Sequence, residues 1–211
     1  MEWRNIILRI SVVVTTYNGK MHLEKQLLSL LQQERAPDEV LIFDDGSTDG
    51  TIELVQSFIR KNCLESWQFY VNAKRKGWKQ NFMEGLRKAA GDILFPCDQD
   101  DIWYPKKLAE MTAVMEQHPE IKLLACDYRV LYEPGAIKAT VYKKTPAETQ
   151  GLITRYGFTK HFFMNPYPGC TYAVRRDFFD AVKELWFDGS PHDEFLWLMA
   201  AVQDGAWFYN R

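Results

Sequence analysis

"ISVVVTTY", residues 10–17, is an unbroken apolar and largely β-branched run. A strand with no polar alternation must be buried on both faces, so it calls for helices above and below its sheet. The chain supplies them. "KMHLEKQLLSLLQQ" places Leu23, Leu27, Leu30 and Leu31 at helical spacing. "DEVLIFDDGS" is a second buried strand that ends abruptly in acid and glycine. "TDGTIELVQSFIRKN" carries Ile52, Val55, Phe58 and Ile59 on one helical side. "WQFYVN" is a third strand, and "KQNFMEGLRKAAG" a third helix with Gly91 as its expected stop residue. "DILFPC" and "YPKKLAEMTAVMEQH" complete the series, with Pro105 in the first helical turn. Strands alternating with helices predict right-handed βαβ units and a parallel sheet. Ligands of such sheets bind outside the carboxyl ends of the strands.

The second half changes character. "IKLLACDYRVLYEPGAIKATVYKK" reads as strand, Pro-Gly turn and strand, while residues 145–168 show no clear period. "GCTYAVRRDFFDAVKEL" reads as strand then helix, and "PHDEFLWLMAAVQDG" as a last helix. No repeat or low-complexity linker interrupts the 211 residues, a length that suits one domain, 1–211. The net charge of −2 predicts no general attraction to nucleic acid or anionic lipid. No apolar run nears the ~20 residues of a membrane helix, and "MEWRNIILRI" is too short and too charged for a secretory signal. Cys63, Cys97, Cys126 and Cys170 stand singly, which predicts reduced, buried thiols in a cytoplasmic protein rather than a disulfide or zinc framework.

Three strand ends carry polar residues that a core does not need: Thr15 to Asn18, Asp44 to Ser47, and Asp98 to Asp101. Turn chemistry is the simple explanation, since Asn18-Gly19, Asp45-Gly46 and Asp49-Gly50 are all turn pairs. Two acidic strand ends in one parallel sheet would nevertheless repel across a shared crevice. A divalent cation relieves that repulsion; Mg²⁺ and Mn²⁺ prefer carboxylates together with substrate phosphates and water. Asp98 and Asp100, two apart on an extended segment, point the same way. "DQDDIWYP" lacks the glycine and distal glutamate of an EF-hand calcium loop, and neither GxxxxGK[ST] nor GxGxxG occurs. Phosphates would therefore be held through the metal.

"SVVVTTYN", "FDDGSTDGT" and "CDQDDIWYPKKL" together resemble glycosyltransferase family 2, a group of inverting enzymes. "DQDDIW" is similar to the rhamnosyltransferase-like branch, and "HDEFLW" continues the likeness. The resemblance implies an α/β GT-A fold: a Rossmann-like, mostly parallel sheet flanked by helices, with a smaller mixed acceptor-side sheet. About 1–117 would bind the nucleotide-sugar and about 118–211 the acceptor. It implies that Thr16 and Tyr17 line the nucleoside pocket and that Asp45 hydrogen-bonds the base. Asp98 would face ribose and metal, Asp100 would ligate the Mn²⁺ or Mg²⁺ bridging the diphosphate, and Lys79 and Asn81 would contact the donor. The base contact suits uracil or thymine, hence a UDP- or dTDP-sugar.

An inverting transfer needs a general base for the acceptor hydroxyl. The resemblance gives that role to Asp193, with Glu194 the alternative and His192 orienting Asp193 or contacting the acceptor. Against this, Ser190 to Asp193 has the spacing of a capping box, with Pro191 in the first turn. Trp103 and Trp197 either stack on sugars or pack in the core. Gly169 sits in a stretch resembling the glycine-containing strand beside the acceptor, where it would let a sugar approach. Residues 145–165 would set acceptor specificity. Related chains continue past "WFYNR" with a histidine in the metal shell and helices near the membrane; no matching histidine stands here. Either the sequence is a shortened form or water takes that position. The implied activity is sugar transfer to a glycan or lipid-linked acceptor in surface polysaccharide synthesis, at the inner face of the cell membrane. Two rivals are a catalytically impaired nucleotide-sugar or glycan-binding domain and a sugar-phosphate nucleotidyltransferase. The second needs a glycine-rich N-terminal loop with a basic residue, which "VVVTTYNGKMHLE" does not provide.

Overall fold

The computed structural model describes residues 7–132, 151–156 and 167–211. Strand β1 (Ile10–Thr16) is buried along its whole length, as its composition requires. Val12 and Val14 enter one core with Leu23, Leu27, Val55, Phe58 and Met111, while Val13 enters the other with Phe82, Leu86, Phe179 and Leu196. The first core lies under helices α1 (Lys20–Leu31), α2 (Thr51–Lys61) and α4 (Lys107–Gln117). The second lies under α3 (Trp78–Lys88), α5 (Arg176–Val182) and α6 (His192–Val202). Successive side chains of one strand thus feed opposite cores, which is the strand period acting on an all-apolar run.

Around β1 lie β2 (Glu39–Asp44), β3 (Trp67–Val71) and β4 (Ile93–Asp98). With β5 (Leu123–Cys126), β6 (Ile153–Arg155), β7 (Tyr172–Arg175) and β8 (Ala206–Tyr209) they form one eight-stranded sheet, in the order β3-β2-β1-β4-β7-β5-β8-β6. The pairs β3-β2, β2-β1 and β1-β4 are parallel, and β7 runs antiparallel to both β4 and β5. The chain builds outward from β1 to β3, then returns to pair β4 on the other side of β1. That reversal opens a crevice at the carboxyl ends of β1 and β4. Register brings the polar ends level: Thr15 lies opposite Asp98 and Thr16 opposite Asp44.

Several expectations change. The mixed second-half strands continue the same sheet through β7 rather than forming a separate one. β6 and β8 were not expected from the sequence; β6 has only three residues, too few to display a period. Leu31 is 39% exposed, since it lies one helical step past Leu30, and the buried polar Gln26 takes the inner face instead. Pro105 lies in the turn before α4, and that helix is capped at Lys106. α3 ends at Lys88 with Ala89 as cap, so Gly91 does not stop it. Gly91 is needed for closeness instead: a Cβ there would stand 2.5 Å from Ser11 Oγ, 2.7 Å from Ser11 N and 2.9 Å from Arg9 O. All four cysteines are free; Cys97 and Cys126 are buried, Cys170 is partly so, and Cys63 is exposed. No described helix is long and apolar enough to cross a membrane. The Pro134-Gly135 turn, the strand expected after it, and residues 145–150 and 157–165 lie outside the described residues.

Because backbone atoms cannot swing aside as a flexible side chain can, Gly91→Ala is expected to destabilise the protein by about 1–3 kcal/mol. Urea unfolding should show a lower midpoint at unchanged slope; an unchanged midpoint would contradict the close packing against β1.

Candidate active site at the ends of β1, β2 and β4

The acidic strand end after β2 splits into two tasks. Asp44 is fully buried, and its carboxylate accepts from Thr16 Oγ1 (2.7 Å), Gly46 N (3.0 Å), Ser47 N (2.7 Å) and Ser47 Oγ (2.6 Å). It builds the turn. Asp45 reaches the other way and accepts from Asn72 Nδ2 (3.0 Å), Lys76 N (2.7 Å) and Gly77 N (2.8 Å). Asn72 also donates to Asn81 Oδ1 (2.9 Å), and Asn81 Nδ2 donates to the Phe43 carbonyl (2.9 Å). A relay from strand β2 therefore fixes the segment after β3 against Asp45. Three donors leave a carboxylate one or more lone pairs for a further donor.

A cavity of about 280 Å³ opens here, and Thr16, Tyr17, Asp45, Asn81, Asp98 and Asp100 all line it. Four further lining residues were not singled out in the sequence: Arg75, Gly77, Trp78 and Gln99. Gln99 ties β1 to β4 by accepting from Tyr17 N (2.9 Å) and donating to Tyr17 O (3.3 Å). The Arg75 guanidinium stacks 4.0 Å from the Tyr17 ring centroid and lies 3.9 Å from Asp45 Oδ2. The only sequence signal of Arg75, Gly77 and Trp78 was membership of "NAKRKGWKQNF" after the third strand, while Gln99 lies within the acidic end of the fourth. A second hollow, between α1 and α2, is lined by Glu24, Leu28 and Lys61 among others and meets no strand end.

Beyond Asp45 the acids are less well satisfied. The Asp98 carboxyl is pushed up to about 7, first by burial and then by the charges of Asp101, Asp100 and Asp193. Asp101 is also raised by burial, although the Cys170 thiol hydrogen-bonds to it, and its Oδ2 is buried without a hydrogen-bond partner. Ligand atoms of Asp98, Asp101 and Cys170 lie within 4.8 Å of one another. Lys107 compensates in part, bonding the Cys170 carbonyl and sitting 3.7 Å over the Trp103 ring. Crowded, under-compensated carboxylates fit a hard divalent cation. Burial keeps the Cys170 thiol protonated, so the oxygens are the ligands it would find. The expected Asp98–Asp100 pair thus gains Asp101 as a third acid, while Asp100 stays exposed on the cavity wall.

Some expected contacts fail. The Lys79 ammonium bonds the Gly189 carbonyl and does not line the cavity. Asn81 lines it, and its amide accepts from Asn72 and donates to the Phe43 carbonyl, so it holds Asp45's partner in place. Trp103 is 5% exposed and packs beside Phe95, and Trp197 is fully buried; both serve the core. Gly169 stands in a 3-10 turn, Gly169–Thr171, not in a strand. A Cβ there would lie 2.7 Å from His192 Nε2 and 3.0 Å from Asp193 Cβ, so the glycine admits the first turn of α6. That turn has no capping box. Pro191 is the cap, with no side-chain cap bond, and Asp193 Oδ1 accepts from Glu194 N (2.9 Å). Glu194 is exposed. His192 is 2% exposed, stacks on Phe82 at 4.1 Å and meets Trp78 edge-on at 5.9 Å.

Comparison with known proteins gives the family and the fold. The Glycosyl transferase family 2 model matches residues 11–180. The dTDP-rhamnosyl transferase RfbG of Shigella flexneri is 24% identical, over 94% of this chain and 68% of its own length. The poly(ribitol-phosphate) β-N-acetylglucosaminyltransferase TarS of Staphylococcus aureus is 28% identical, over 72% of this chain and 26% of its own. The crystal structure of TarS 1–349 with UDP-GlcNAc superposes with a TM-score of 0.69 at 20% identity, covering 96% of this chain and 58% of that one. The mannosyltransferase PcManGT of Pyrobaculum calidifontis, solved with GDP-Man and Mn²⁺, superposes at 0.68 and 19% identity, over 95% of this chain and 56% of that one. The sheet with its flanking helices is the GT-A fold, and the chain belongs to glycosyl transferase family 2.

Proposed function

We propose that this chain transfers a sugar from a nucleoside diphosphate sugar to a glycan or lipid-linked acceptor, with inversion, in the making of a surface polysaccharide. The observation that carries the reading is convergence: Asp45, Asp98 and Asp100 line one cavity, and Asp193 lies near enough to push the Asp98 carboxyl upward. Thr16 and Tyr17 border the nucleoside, and the remaining acceptor capacity of Asp45 suits the N3–H of uracil or thymine. RfbG is named for a dTDP-linked donor and TarS is solved with UDP-GlcNAc, which supports a UDP- or dTDP-sugar here. Asp98 and Asp100, with Asp101 behind them, would hold Mn²⁺ or Mg²⁺. When bound, that cation supplies Lewis-acid neutralisation of the departing diphosphate.

Asp193 takes the proton of the attacking acceptor hydroxyl as the carbon–oxygen bond to the sugar forms on the face opposite the leaving group. Partly buried and close enough to act on Asp98, its carboxylate suits that task better than the more exposed Glu194 next to it. His192 does not act as an acid here. Burial drives its imidazole down to about 4, and Asp193 offsets that only in part, so the ring is neutral and serves as packing under the first turn of α6.

Two outcomes follow. Asp193→Asn should bind donor almost normally while transfer falls by about 10²–10⁴-fold in steady-state assays; unchanged transfer would move the base to Glu194. A histidine with a depressed folded pKa gives stability that is complete above its unfolded pKa of 6.5 and is lost as pH falls towards 4. Between pH 7 and pH 4, wild type should therefore lose up to about 3 kcal/mol more than His192→Phe in denaturant unfolding. Parallel losses in the two proteins would show that the imidazole is not held neutral.

A further inference from the structure

Trp103 and Trp197 are core residues, yet another tryptophan stands on the cavity wall. Trp78 opens α3 and is 51% exposed. Gly77 before it has φ +86 and is pinned through its N–H to Asp45 (2.8 Å). A buried partner supports the indole. The His192 ring meets it edge-on at 5.9 Å and 78°, and is itself stacked on fully buried Phe82. His192 and Phe82 thus occupy the inner side of the indole, and the exposed part faces the aspartate-lined cavity, with the Lys79 ammonium 5.7 Å from the ring centroid. Leaving a large aromatic in water forgoes hydrophobic stabilisation, and a rigid one has also given up the freedom to find another partner.

We infer that Trp78 is the stacking platform for a pyranose ring lying between the nucleotide-side acids and Asp193; this rests on the glycosyl-transfer reading above. A pyranose is amphipathic, with C–H bonds on its faces and hydroxyls round its rim. An indole face buries the C–H patch, and carboxylates nearby accept from the rim hydroxyls; the cavity offers that combination in Trp78 with Asp98, Asp100 and neighbouring Asp193. A nucleobase is the poorer occupant for Trp78, because Tyr17 already supplies an aromatic ring with Arg75 upon it. Donor and acceptor sugars share the recognising chemistry, and the test separates them.

Calorimetry with Mn²⁺ would compare UDP with UDP-GlcNAc, dTDP with dTDP-rhamnose and GDP with GDP-mannose in wild type, Trp78→Phe and Trp78→Ala. A panel of p-nitrophenyl hexosides would serve as acceptors. In Trp78→Ala, nucleoside diphosphate affinity should stay at the wild-type value. Either the nucleoside diphosphate sugar then weakens about tenfold, placing the donor ring on the indole, or acceptor KM rises about tenfold, placing the acceptor ring there. Trp78→Phe should recover part of the loss. Unchanged sugar and acceptor parameters, or equal weakening of nucleoside diphosphate with and without its sugar, would overturn the assignment. Failure of wild type to bind any nucleoside diphosphate would overturn the glycosyl-transfer reading, and this inference with it, before any substitution is made.

Discussion

Like-charge repulsion at the carboxyl ends of β2 and β4 is the constraint around which this molecule is organised. Five aspartates, Asp44, Asp45, Asp98, Asp100 and Asp101, stand at or just past the carboxyl ends of β2 and β4, the two parallel strands that flank β1. The protein meets the charge in two ways. Asp44 and Asp45 are neutralised locally by backbone N–H groups and by hydroxyl and amide donors, which makes them turn-builders and clamps. Among the described residues Asp98 and Asp101 receive no comparable set of donors: one carboxyl is driven up to about 7, and the other, bonded by the Cys170 thiol, keeps a buried Oδ2 without a partner. Repulsion tolerated on one side of the crevice and satisfied on the other is the imbalance that the proposed cation would relieve.

The sheet makes this arrangement unavoidable once the strands are placed. β1 and β4 pair in parallel with Thr15 opposite Asp98, so the chain leaves both strands at the same level and in the same direction. The reversal of strand order at that pair opens the crevice. β7 then carries the sheet into the second half and leads through α5 to α6, where Gly169 allows His192 and Asp193 close to β4. A glycine is what lets the second half deliver its carboxylate.

Legibility followed length and period. Long apolar runs and helical spacing announced β1 to β4 and α1 to α4, and the acids at their ends announced the site. β6 was silent, because three residues beside unpatterned chain have no period to read, and β8 was not read although β5 and β7, equally short, were. Side-chain direction was equally hidden. Lys79 and Asn81 sit where the family likeness put them, but one bonds Gly189 and the other spends its amide on Asn72 and Phe43. Arg75 and Trp78 reach the cavity from the junction of β3 and α3, where neither was singled out in the sequence. Contacts between distant segments, such as Cys170 with Asp101 or Gly169 with His192, leave no trace in local composition.

The most direct test of cation-mediated binding is a calorimetric titration of UDP and dTDP into the protein with and without Mn²⁺. Binding by wild type should require the metal and should vanish, with metal present, in Asp100→Ala. Equal affinity in the absence of metal, or full affinity in Asp100→Ala, would contradict the view that these carboxylates hold a cation for a diphosphate.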